Sequence, residues 1–261
     1  MAGHAESGLA PLSREEIEEG LRQLGLGQGD AVEVHSSLSS FGWVEGGAPT
    51  VVDALMRVVG EDGTLVMSAY PVSLPLPLTD EEKARGILAK VRLLGEDYVG
   101  RTGMGAVADD FCRRPGTALG TDEHRVCAWG RDAELYGEEG YRTLLENDGW
   151  VLLLGVDIHR CSSMHVAESM VGIPEEIIRR FDVPEDIRRD YPADAWYIQY
   201  GSTPNDAWQK VQDEADRKGL IKRCRIGRAE CMVFKARAVV GLYEESLRTD
   251  PFELFGVGKA R

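Results

Sequence analysis

The chain of 261 residues predicts an α/β protein: a single domain with a central mixed β-sheet flanked by helices. Three observations carry this expectation. Short apolar or alternating stretches such as "DAVEVH", "TLVMSAY" and "WVLLLGV" have the length of strands. Amphipathic stretches with recognisable starts and stops separate them, which is the interleaving of α/β folds. No internal repeat, low-complexity run or linker divides the chain, and its length suffices for one sizeable core.

Residues 1–11 are expected to form a flexible tail and residues 12–261 the domain. "SREEIEEGLRQLG" starts it with a helix. Ser13 and Glu16 make a capping box, Ile17, Leu21 and Leu24 form one apolar face, and Gly25 is the stop. "DAVEVH" reads as a strand ending at Val34. "TVVDALMRVVG" reads as a helix with Thr50 as cap and Gly60 as stop, and "TLVMSAY" as a strand after the turn "EDG". A Pro-rich piece then interrupts the alternation. Pro71, Pro75 and Pro77 oppose regular pairing, and a helix is expected from about Asp80 to Leu94. Residues 71–100 read as an excursion over a site or a subunit contact. The pattern resumes with helix "MGAVADDFCRR", strand "RVCAW" and "WVLLLGV", a candidate central strand. Helix "SMHVAESM", extended "AWYIQY", helix "PNDAWQKVQDEADRKG", strand "ECMVF" and helix "KARAVVGLYEESLR" complete the order.

Composition excludes several function classes. A formal net charge of −14 repels nucleic acid and anionic lipid, so neither is an expected partner. No apolar run has the length of a membrane span, and the N-terminus lacks the basic start and apolar core of a secretory signal. Five scattered cysteines without CxxC spacing suit free thiols in a reducing cytoplasm, the expected location.

Two passages can carry chemistry. "VHSSLSSFGWVEGG" (34–47) links a strand to a helix through hydroxyl residues and a Gly-Gly pair. It is an ordinary polar connection or a cradle of backbone N–H groups for a phosphate or carbonyl. "GVDIHRCSSMHVAES" (155–169) leaves the end of a buried strand, where open α/β sheets collect ligands. His165 and Glu168 are three apart and share a face of the first helical turns. At the positive end of a helix a neutral imidazole is favoured, and it can take a proton near neutral pH. His159, Cys161 and His165 are zinc-competent types, but their spacing is untypical and no nearby pair supplies a fourth ligand. Base, structural histidine and metal ligand all stay open on spacing alone.

In series, "VHSSLSSFGWVEGGAPTVVDALMRVVGEDGTLVMSAY", "MGAVADDFCRRPG", "HRVCAWG" and "VLLLGVDIHRCSSMHVAES" resemble the aminoglycoside 3-N-acetyltransferase family over about residues 12–256. That family shows HSSL before a GG pair, a TLVMP strand end, an MG-led helix, a strand opening His-Ser, and LLLGVG before N-T-S-L-H-L-A-E. The resemblance implies an α/β fold distinct from the GNAT acetyltransferases and acetyl-CoA as donor. It also implies an aminoglycoside amine as acceptor, antibiotic resistance as the role, and no metal. It carries cofactor contacts onto Ser36, Ser37, Leu38, Val44, Gly46, Gly47 and Met104. It makes His165 the general base, Glu168 its acidic companion and His124 a secondary catalytic candidate. Tyr70, Asp157 and Asp206 are the residues expected to meet the acceptor, in a monomer or homodimer.

Departures from the family gather on the acceptor side. The asparagine-bearing loop is replaced by Asp157-Ile158-His159-Arg160-Cys161, Arg125 stands where a serine follows the histidine, and Ser68 replaces the strand-end proline. Where resistance enzymes of this family place acids, this chain has Tyr200, Gly201 and Ser202, with Asp206 the nearest carboxylate. A polycation needs several carboxylates converging on it. The alternatives are therefore an acetyltransferase of another amine, such as a natural-product intermediate, or a CoA-binding relative without aminoglycoside activity.

Overall fold

The computed structural model describes residues 10–70, 73–84, 89–93, 102–120, 125–174, 176–177, 182–199 and 205–256. Its helices are α1 Arg14–Gln23, α2 Ala48–Val59, α3 Asp80–Ala84, α4 Ala106–Phe111, α5 Ala133–Glu139, α6 Tyr141–Glu146, α7 Met164–Val171, α8 Glu185–Asp190, α9 Asn205–Arg217, α10 Ala236–Thr249 and α11 Pro251–Phe255. Its strands are β1 Ala31–Ser36, β2 Thr64–Ser68, β3 Ser73–Pro75, β4 Lys90–Leu93, β5 Thr117–Leu119, β6 Val126–Gly130, β7 Trp150–Leu154, β8 Trp196–Gln199, β9 Lys222–Ile226 and β10 Ala229–Lys235.

The main sheet has seven strands in the order β5-β6-β2-β1-β7-β10-β9. β1 runs parallel to both β2 and β7, and the remaining pairs are antiparallel, so the sheet is mixed as expected. Both faces are covered, for a reason visible in the side-chain alternation. Val32, Val34, Leu65, Met67, Leu152 and Leu154 enter one core with residues of α1, α2 and α4. Val66, Val151, Leu153, Met232 and Phe234 enter a second core with residues of α7, α9 and α10. The expected central strand β7 is an interior strand between β1 and β10, and Val151 to Leu154 are fully buried.

The capping box forms: Ser13 Oγ accepts the Glu16 N–H, and Glu16 Oε2 accepts the Ser13 N–H at 2.8 Å. Leu12 of the domain's first turn bridges to Val44 in the first core; residues 1–9 of the expected tail lie outside the described residues.

Four local expectations are corrected. β1 continues past Val34 to Ser36, because His35 and Ser36 find backbone partners at Leu153 and Leu154 of β7. The cap of α2 is Gly47 rather than Thr50; Pro49 sits in the first turn, where its fixed φ suits a helix start. The helix expected over 80–94 stops at Ala84, since Lys90–Leu93 pairs with β8, from Lys90↔Gln199 to Leu93↔Trp196. Cross-strand pairing outweighs the local helical pattern there. Pro75 does pair, at the end of β3, an edge of the small sheet β3-β4-β8 where a missing N–H is tolerated. Among the described residues no helix is long and apolar enough to cross a membrane.

Candidate active site

The site lies beyond the carboxyl ends of β1 and β7, which stop level with each other at the Ser36↔Leu154 pair. Beyond them the chain turns at Gly155, φ +68°, whose carbonyl accepts a hydrogen bond from Ser40 Oγ at 2.9 Å. Asp157 caps a short 3-10 turn over 158–160, its Oδ1 accepting the His159 N–H at 3.1 Å. Cys161, Ser162 and Ser163 then run buried into α7.

In the first turn of α7, His165 Nδ1 lies 2.6 Å from Glu168 Oε2. The other carboxylate oxygen, Oε1, accepts a hydrogen bond from the Tyr243 hydroxyl of α10 at 2.8 Å. Trp208 of α9 meets the His165 ring edge-on with centroids 5.1 Å apart, and Tyr243 packs on Trp208 in turn. Three helices thus hold one imidazole. With Glu168 as carboxylate, Nδ1 carries the proton and Nε2 is left as the acceptor nitrogen. Nε2 has no hydrogen-bond partner among the described residues, and the side chain is 27% exposed. An oriented, part-exposed imidazole backed by a half-buried carboxylate can take a proton from an incoming nucleophile and stay stable as imidazolium.

The 36–47 segment leaves the end of β1 and meets the end of β7 at Gly155. The Ser37 N–H donates to the Leu154 carbonyl at 2.9 Å, and residues 38–41 form a 3-10 turn with Ser37 and Ser39 hydroxyls 3.2 Å apart. Gly46 and Gly47 have φ of +74° and +70°, a conformation that suits glycine, and they lead into α2 without any side-chain cap. A side chain at Gly46 would press on Thr50 Oγ1, whereas the space beside Gly47 is open. Trp43 stands exposed beside this turn.

A family model described as aminoglycoside 3-N-acetyltransferase matches residues 34–248. The chain belongs to that family. The acetyltransferase is similar to the SPbeta prophage-derived aminoglycoside N(3')-acetyltransferase-like protein YokD of Bacillus subtilis, 29% identical with 92% of this chain and 94% of that one covered. It is also 28% identical to aminoglycoside N(3)-acetyltransferase VII of Streptomyces paromomycinus, covering 88% and 89% of the two chains. Among solved structures, the crystal structure of YokD superposes with a TM-score of 0.72 at 27% identity, covering 94% and 97% of the chains. Aminoglycoside acetyltransferase AAC(3)-IVa, as apoenzyme, gives 0.74 at 22% identity over 95% and 93%, a likeness of fold.

Within the acetyltransferase, His165 and Glu168 come together as the spacing requires. Ser36, Ser37 and Leu38 line the end of β1, half-buried. Val44 instead faces the first core, so it can offer the cradle only its backbone, and Met104 packs against that same core before α4. Tyr70 is buried with Arg92 over its ring at 3.9 Å, and Asp157 is exposed. Asp206 lies in the first turn of α9, while His124, Tyr200, Gly201 and Ser202 lie outside the described residues. Cys161 faces the core, its thiol 3.2 Å from Ser163 Oγ, and burial pushes that thiol well above its ordinary range. A buried neutral thiol is a poor zinc ligand. Among the described residues no three His, Cys, Asp or Glu side chains gather as a metal site.

Tyr243 and Trp208 were not anticipated. Their one signal is that a buried tyrosine on an apolar helix face needs a hydrogen-bond partner. Tyr243→Phe removes one of the two bonds orienting Glu168 and is expected to lower kcat about three- to tenfold, with KM little changed. Steady-state kinetics check this, and a parental kcat would leave Glu168 oriented by His165 alone.

Proposed function

We propose that this chain transfers the acetyl group of acetyl-CoA to an amine of an aminoglycoside, with His165 as general base. The observation that carries the reading is the His165–Glu168–Tyr243 chain, with Nε2 left as acceptor at the mouth of the paired strands. Acetyl-CoA supplies an activated thioester. The half-buried Ser36, Ser37 and Leu38 would flank its pantetheine arm, and the glycine pair with the uncapped start of α2 would hold its phosphates. The open space beside Gly47 fits such a cradle. His165 Nε2 accepts the proton the acceptor amine must lose, and Glu168 keeps the ring in the productive tautomer and stabilises its charged form.

A second reading has one observation in its favour. Arg92 of β4 sets its guanidinium 3.9 Å over the ring of Tyr70, an expected acceptor contact, and its charge helps to push the neighbouring Lys90 below the ordinary lysine range, after the larger effect of burial. Positive charge of this kind opposes a polycation and favours an acceptor with fewer ammonium groups. Thiol release from acetyl-CoA against a panel of aminoglycosides and single-amine amino sugars tests both. Turnover with the multiply charged drugs supports the first reading, and turnover restricted to single-amine sugars supports the second. Stabilisation by CoA with no turnover on either set overturns both.

A further inference from the structure

Along β1, Val32 and Val34 face the core of α1 and α2, so Glu33 and His35 face the opposite layer, beneath α7. Glu33 is fully buried and His35 is 9% exposed. Glu33 Oε1 lies 2.6 Å from His35 Nε2 and accepts the Ser163 N–H at 3.1 Å. The Ser162 N–H lies 3.2 Å from the same Nε2, whose single hydrogen-bonding site it shares with Glu33. Ser163 is the N-cap of α7, yet its side chain makes no capping bond and is engaged with the Cys161 thiol. The Ser162 hydroxyl is tied separately, 3.0 Å from Ser68 Oγ, which lies 2.6 Å from the Tyr141 hydroxyl. The N–H groups of the two residues leading into α7 are thus met from a strand about 130 residues earlier in the chain, while those of Met164, His165 and Val166 bond to the carbonyls of Cys161, Ser162 and Ser163.

A fully buried carboxyl is a costly choice for a central strand, where an apolar side chain would pack without penalty. Its retention calls for a use, and the bonds it makes supply one. We propose that Glu33 and His35 are positioning residues for acetyl transfer, capping α7 from β1 and so fixing the place of the His165 imidazole. The proposal rests on His165 being the base. Only Met164 separates Ser163 from His165, so a shift of the helix start carries the ring with it. A misplacement of about 1 Å can cost on the order of a hundredfold in rate.

Glu33→Leu tests this: it removes the acceptor of the Ser163 N–H together with one partner of the buried Glu33–His35 pair, so it lowers stability as well as rate. The variant is expected to fold with a lowered thermal midpoint, and its kinetics are read well below that midpoint. Its kcat should fall at least about tenfold with KM for acetyl-CoA within about twofold. Hydrogen exchange at the Ser162 and Ser163 amides should quicken. Glu33→Gln, which keeps an acceptor oxygen for the Ser163 N–H, should recover most of the rate and the protection. If E33L does not fold, His35→Phe carries the same test through the Ser162 amide, with the same expected results. Parental kcat and parental exchange in the folded variant, beside an inert His165→Ala control, overturn the proposal and leave the base assignment standing. An active His165→Ala enzyme overturns the base assignment instead, and with it the link from helix capping to rate.

Discussion

His165→Ala is expected to lower kcat by about a hundred- to ten-thousand-fold, the usual worth of a positioned general base. Acetyl-CoA affinity should stay within about twofold, because the imidazole stands on α7 whereas the 36–47 segment follows β1. Single-turnover kinetics and calorimetric titration with CoA measure the two quantities separately. The pattern is specific to a residue used in the reaction. A packing role would show as lost stability, and the ring's main neighbours, Trp208 and Glu168, are held by Tyr243 as well. Near-parental turnover in this variant would remove His165 from the mechanism.

Gly155→Ala should damage both halves of the site together. Gly155 has φ +68°, which costs a non-glycine residue roughly 1–2 kcal/mol. An added Cβ would also collide with Ser40 Cβ and lie 3.2 Å from Ala229 Cβ. Overpacking of this sort costs about 1–3 kcal/mol. Ser40 belongs to the 3-10 turn behind Ser37 and Leu38, and its hydroxyl is bonded to the Gly155 carbonyl. Relief of the clash therefore pushes the cradle away from the strand end. A lower urea midpoint together with a raised KM for acetyl-CoA is the expected result. A lower midpoint with unchanged KM would mean that the strain is absorbed on the α7 side.

What could be read in the chain beforehand follows the range of the forces involved. The Ser13–Glu16 box, the Gly60 stop and the His165–Glu168 pair are short-range features, and each took its expected form. The helix expected over 80–94 failed because Val91 and Leu93 are partnered by Ile198 and Trp196, about a hundred residues away in the chain. Glu33 and His35 were invisible for a related reason. "VEVH" alternates like a strand with one wet face, and only the helix laid over that face turns its polar residues into core. Tyr243 meets Glu168 across 75 positions, and nothing local to either residue announces the other. The metal reading of His159, Cys161 and His165 weakened once Cys161 turned inward, a matter of side-chain direction that spacing does not carry.

The level ends of β1 and β7 have one more consequence. The segments to which the proposed function assigns the cradle and the base meet across 115 positions at the Ser40–Gly155 contact, beside the parallel pairing of β1 with β7. Neither piece of a chain cut between them holds a working site. Non-local parallel strands pair late, after the loop between them has closed. On that assignment, activity is expected to report on folding: two complementary fragments should regain it only when the central strand pair zips together again, and its recovery should time that event.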